Sequence, residues 1–350
     1  MAGGATRILD RRALNRATLA RQMLLERAPL APRAAVAHLV GLQAQEPRDP
    51  YVGLWSRLRG FDPREVERLF LARELVRIVV MRGTIHLVTA EDALTLRPLT
   101  QPVMDAEIAL HSEYAPMVRD VDLGPVVAAG REILREPRSM PELRAALAER
   151  FPGPSPAALA YACRCLLPLV QVPPRGLWTR SARVTVATAE SWLGRPVDAD
   201  PFIDAVILRY LAALGPATAT DAAVWSGLGG MGEVLERLRP SLVTFRDERG
   251  RELFDLPGAP RPGPDVPAPV RFLPRHDNLL LSHADRRRVA DDRVRRALAP
   301  AVATGGGSVL LDGFLAAAWS VERERDGRPA AIVVRHPGRP RGKDAGRSHG

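Results

Sequence analysis

The chain's 350 residues, 46% hydrophobic and 26% charged, have the balance of a globular protein of two or three domains, which excludes wholesale disorder. No apolar run reaches the ~18–20 residues of a membrane span, and the first twelve residues lack a secretory signal, so a cytoplasmic protein without membrane contact is expected. Fifty basic against forty acidic residues leave a net charge of +10, which favours a polyanionic partner such as nucleic acid.

Helical and β patterns alternate along the chain. Residues 15–26 read as a helix stopped near Pro29, and a second helix from about Arg33 carries Val36, Val40 and Gln43 at helical spacing. Pro47 disfavours helical geometry at Glu46, so this helix is expected to end around residues 43–45. A helix over 63–71 follows, then β-branched residues 76–81 and 84–88 around Arg82-Gly83, the pattern of a hairpin. Thr89 and Asp92 open the next helix as a capping pair.

The plan repeats twice. Helices are expected over 126–134, from the Ser139/Glu142 capping box to about Phe151, and from Ser155-Pro156 to Leu167, before a hairpin of 169–172 with 177–179. A third set has helices over 202–214, 220–225 and 231–238, then strands 242–246 and 252–255. Helices followed by a hairpin, three times over, is the order of a winged helix-turn-helix. Beyond the Pro-rich linker 257–269, strands are expected at 270–273, 308–311, 314–320 and 330–334, with hairpin turns at Asp312-Gly313 and Asp326-Gly327. The tail is predicted to be disordered, and its Arg335, Arg339, Arg341, Lys343 and Arg347 against Asp344 supply +4 of the +10.

Enzyme signatures are scarce. There is no phosphate-binding P-loop and no dinucleotide fingerprint; Gly305-Gly306-Gly307 reads as a flexible loop. Cys163 and Cys165 suit neither a disulfide framework nor zinc, and the histidines are scattered, so neither metal nor cofactor is expected. The segment Gly41-Leu42-Gln43-Ala44-Gln45-Glu46-Pro47 is distinctive: residues two apart in extended chain point to one side, so Gln43 and Gln45 can present two amides to one target. An amide donates and accepts hydrogen bonds but removes no proton at neutral pH. On spacing alone, both could equally cap a helix or face solvent. Trp55, at helical spacing from Val52 and Leu58, is expected in the core.

The stretches LNRATLARQMLLER, HLVGLQAQEPRDPYVGLWSRL, RIVVMRGTIHLVTAEDALTLRP and RHDNLLLSHADRRRV closely resemble the AlkZ-type winged-helix DNA glycosylases, over roughly residues 14–320 and most densely over 14–98. The resemblance implies an α+β fold of three tandem winged helix-turn-helix units (1–118, 119–198 and 199–262) forming a concave basic channel, a small C-terminal β-rich domain (263–335) and a basic tail (336–350). The ending departs from the family pattern, because the tail replaces the helix expected after the last strands. The family's two catalytic glutamines around one apolar residue match Gln43, Ala44 and Gln45. The implied activity is excision of alkylated purines, bulky or crosslinked ones included, in bacterial repair or self-resistance to DNA-alkylating metabolites.

An N7-alkylated purine is cationic and already a good leaving group, so two amides that place water could suffice. Lys343 is the only lysine, and a strand-nicking glycosylase needs an amine nucleophile, so a monofunctional enzyme leaving an abasic site is expected. Arg48, Arg57, Arg82, His86, Arg275, His276, Asp277 and Asn278 are candidate contacts to double-stranded DNA. A monomer associated with the nucleoid is expected. The alternative is a non-enzymatic winged-helix DNA-binding protein or transcriptional regulator; a binder driven by charge alone is a third class.

Overall fold

A computed structural model describes residues 7–337 except 181, 305, 326 and 327. The expected turn at Asp326-Gly327, the loop position Gly305 and the tail from residue 338 fall outside the described residues.

The first hydrophobic repeat folds as helix Pro32–His38, strand Leu42–Gln43, helices Asp49–Arg57 and Pro63–Leu71, and strands Leu75–Val79 and Ile85–Thr89. Asp62 caps Pro63–Leu71 by accepting from the Arg64 amide, and Pro63 supplies a first residue with no N–H to satisfy. The order recurs as Leu123–Ile133, Arg138–Ser139, Met140–Arg150, Pro156–Leu166, Leu169–Gln171 and Thr185–Thr188, with the Ser139/Glu142 capping box formed. It returns as Ile203–Leu214, a bridge at Ala217, Ala219–Ser226, Met231–Leu238, Val243–Asp247 and Glu252–Asp255. Each time the short extended piece pairs with the second hairpin strand, at Leu42↔Leu87, Arg138↔Val186 and Ala217↔Phe254. Arg77↔Gln171 and Ile78↔Val170 join the first two repeats into one six-stranded sheet.

Several expectations need correction. Leu169–Gln171 pairs with Thr185–Thr188, not with 177–179. The latter crosses to the first repeat instead: Leu177 is buried in its core, and the Tyr51 hydroxyl donates to the Gly176 carbonyl at 2.8 Å. The first helix is Arg11–Arg21, capped by Asp10, four residues before its expected start. Strand Ile8–Leu9 runs parallel to Val243–Asp247, and Arg21 forms a buried bidentate pair with Asp255 at 2.6 and 2.8 Å, so residues 8–21 are anchored on the third repeat.

The closing region is a four-stranded antiparallel sheet of Arg271–Leu273, Gly307–Leu311, Phe314–Arg323 and Pro329–Arg335. Asp312 and Gly313 both take positive φ, 47° and 79°, as a two-residue hairpin turn requires. A helix the sequence reading missed, Asp292–Ala303, packs on this sheet. The largest core joins all three repeats, with Val40, Val76 and Ile78 of the first and Val170 and Ala187 of the second in one cluster with Tyr210 and Trp225 of the third.

Candidate active site

The helix that precedes the glutamines ends at His38, well before residues 43–45. Val40 and Gly41 then take φ of 54° and 94°, and the Gly41 amide donates back to the Val36 carbonyl at 2.9 Å. A Cβ on Gly41 would lie 2.7 Å from Val88 Cγ1, so only glycine allows so close an approach to the hairpin. The reversal delivers Leu42–Gln43 to the hairpin edge, where Gln43 sits opposite His86. Ala44 is fully buried; its amide donates to the Ile85 carbonyl at 2.7 Å and its carbonyl accepts from Arg77 Nη2 at 2.6 Å. The strand ends at Gln43, and Gln45 lies in the bend that follows, so the two-residue alternation expected from the sequence does not extend to it. Gln43 is buried and Gln45 is exposed.

Arg82 fixes Gln43. It occupies the hairpin turn at φ 59°, and Gly227 packs so closely that a Cβ there would lie 3.1 Å from Arg82 Cα. Arg82 Nη1 donates to the Trp225 carbonyl at 2.9 Å, and Nη2 donates to Gln43 Oε1 at 2.8 Å. Nη2 also lies 3.3 Å from His86 Nε2. His86 Nδ1 is 3.0 Å from the Thr84 carbonyl, which can only accept, so Nδ1 carries the proton and Nε2 is the acceptor. Burial, with the Arg82 cation beside it, pushes the His86 imidazole down to about 3, so it is neutral at physiological pH. Burial, with repulsion from Arg286, lowers Arg82 to about 10, which still leaves it charged.

Chemically, Gln43 has its oxygen committed to a cation, and its Nε2 is a donor without a partner among the described residues. The exposed Gln45 amide makes no hydrogen bond among the described residues and keeps both functions. His86 cannot serve as an acid at neutral pH. Glu46, exposed next to Gln45, has its carboxylate 3.7 Å from Arg275.

The remaining sequence candidates divide in two. Arg48 is exposed, with its guanidinium 5.5 Å over the Trp178 ring. Arg275 and His276 are partly exposed, and His276 Nδ1 lies 3.1 Å from Asp49 Oδ2. Arg57 and Asp277, by contrast, form a buried bidentate pair at 2.7 and 2.8 Å with no exposed side-chain surface, and Arg57 Nη2 also donates to Gln22 Oε1 at 3.1 Å. Neither can reach a DNA phosphate. Asn278 is buried too, its Nδ2 donating to the Gly41 carbonyl at 3.0 Å. His86 is buried as well, and the half-buried Arg82 is bonded to Gln43. Arg82 and Asn278 thus bond to the glutamine segment, at Gln43 and Gly41, while Arg57 and Asp277 tie helix Asp49–Arg57 to the C-terminal region.

The sequence reading missed Arg77, whose only signal was a charge inside the apolar run Val76-Arg77-Ile78. It also missed a hollow of about 350 Å³ beside Glu46 and Arg48, lined further by Arg175 and Arg180. Among the described residues, no group of three His, Cys, Asp or Glu side chains could hold a metal ion, and no helix is long and apolar enough to cross a membrane.

Residues 36–343 match the family model described as DNA glycosylase AlkZ-like. Among solved structures, the chain is similar to the Streptomyces sahachiroi DNA glycosylase AlkZ, with a TM-score of 0.69 and 20% identity over 95% of this chain and 92% of that one. At that identity the likeness is one of fold. No protein of curated function matches the chain.

Proposed function

The chain belongs to the AlkZ-like family of DNA glycosylases, and from that premise we propose that it hydrolyses the N-glycosidic bond of N7-alkylated purines in double-stranded DNA. It acts as a monofunctional, monomeric enzyme of the nucleoid and leaves an abasic site. The three repeats of helix, short strand, two helices and hairpin are winged-helix units around a basic channel, and Arg48, Arg275 and His276 contact the DNA backbone.

One observation carries this reading: Gln43 is held by Arg82 as a fixed donor two residues from the free amide of Gln45. A cationic N7-alkylpurine departs without protonation, through a transition state resembling a sugar oxocarbenium ion. The alkylated base leaves as a neutral purine; Gln45 accepts a hydrogen bond from the water that adds to the sugar carbon and orients it, the surplus proton passing to bulk solvent, while the Gln43 amide nitrogen donates to the damaged nucleotide and fixes its position. Neutral His86 supplies no acid, and Arg275 offsets the charge of Glu46. A site of amides therefore selects bases that bring their own positive charge, and a bulky or crosslinked adduct need not enter a deep base-flipping pocket. Lys343, the chain's only lysine, lies outside the described residues, and strand cleavage by a Schiff base has no side-chain amine within them.

The test is incubation with duplex DNA carrying 7-methylguanine, followed by alkaline cleavage at abasic sites. Product is expected from the wild type and reduced about 100-fold in Gln43→Ala or Gln45→Ala. Sequence-specific binding without product would favour the transcriptional-regulator reading instead.

A further inference from the structure

Trp55, expected in the core, is 45% exposed, and Trp178 is 37% exposed. Together with Tyr51, Val52, Phe61 and Pro63 they line an aromatic cleft of about 300 Å³. Its walls are held in place: the Tyr51 ring lies 5.4 Å from Trp178, and its hydroxyl is bound to the Gly176 carbonyl. A guanidinium lies over one face of each tryptophan, Arg27 at 4.9 Å from the Trp55 ring centre and Arg48 at 5.5 Å from that of Trp178. Arg48 also lines the neighbouring polar hollow with Glu46, Arg175 and Arg180. The cleft is thus linked, through that cationic hollow, to the segment that carries Gln45.

We infer that this cleft is a stacking site for one unpaired nucleobase of the bound DNA, next to the damaged nucleotide. The indole faces that these guanidiniums leave uncovered provide a platform that any base can use, because every base has a π-face. The arginines of the adjoining hollow complement the phosphates on either side of such a base. A partner helix or strand would need a longer apolar groove, and a cationic rim suits a polyanion. The assignment rests on the glycosylase reading in one respect: the base it takes is one unstacked around a lesion.

The experiment uses the full chain and a duplex with a tetrahydrofuran abasic-site analogue beside 2-aminopurine. Binding of the wild type is expected to quench 2-aminopurine emission by stacking. Trp178→Ala and Trp55→Ala are expected to leave it bright and weaken binding about 10-fold, with Trp178→Phe restoring most of both. Unchanged quenching and affinity in both alanine variants would overturn the inference. So would a tryptophan dependence found only with DNA bearing an aromatic adduct, since the occupant would then be the adduct. The 7-methylguanine assay separates the two readings. Abasic product without tryptophan dependence removes the cleft assignment alone, whereas tryptophan-dependent quenching without product removes the glycosylase reading and leaves the stacking site.

Discussion

Arg82 shows how little a residue's type says about its task. In the sequence it sits in a hairpin turn, where an arginine would ordinarily be solvated and available to phosphate. The third repeat closes over it instead, through the Trp225 carbonyl and Gly227, and its Nη2 is committed to Gln43. Because that nitrogen can only donate, it determines which end of the Gln43 amide faces outward. In the proposed reaction Arg82 would act as a positioning residue, through Gln43. Arg82→Gln is expected to lower kcat about 10-fold to 100-fold while KM changes little, because the amide is freed to rotate but the DNA contacts remain. Arg48→Ala should do the opposite, raising KM with kcat nearly unchanged. Equal effects on both parameters in Arg82→Gln would contradict the positioning role.

At the scale of elements, the glutamine segment is held by short pieces that periodicity cannot reveal. A two-residue strand such as Leu42–Gln43 shows no alternation, and it exists because the Gly41 reversal places it against Ile85–Thr89. Helix Asp49–Arg57, which follows the motif, is tied to the C-terminal region through Arg57 and Asp277. Removing one partner of a buried bidentate pair leaves an uncompensated charge, so Asp277→Ala is expected to cost about 3–5 kcal/mol in urea unfolding. The double replacement Arg57→Leu with Asp277→Leu should recover much of that loss. A double variant as unstable as Asp277→Ala would mean that the pair does more than satisfy itself. By contrast, the long elements were legible: helix Pro63–Leu71 and the hairpin strands of the first and third repeats fall within a residue or two of their expected limits.

At the scale of the whole molecule, burial couples stability to pH. His86 and His283 are both pushed down to about 3, chiefly by burial, from an ordinary value of 6.5. Unfolding releases them to bind protons. Between pH 6.5 and 3 the unfolded chain therefore holds more protons than the folded one, and stability falls as pH falls. The full contribution is present above 6.5, and each unit below it withdraws up to about 1.4 kcal/mol per histidine. Urea midpoints measured from pH 7 to pH 5 should fall accordingly, with a shallower fall in His86→Gln. A midpoint flat over that range would rule the mechanism out.

The sequence by itself determined the repeating order of helices and hairpins, the β-rich end and the Gln-Ala-Gln segment, since periodicity, capping pairs and turn chemistry are local properties. The division of the charged residues was decided by tertiary structure alone. Arg48 and Arg57 are nine positions apart and alike in composition, yet one is exposed and the other lies wholly inside. The physical reason is that a guanidinium enters the interior only where carboxylates or carbonyls answer it, and those partners come from distant chain: Asp277 for Arg57, the Ala44 carbonyl for Arg77, and Trp225 with Gln43 for Arg82.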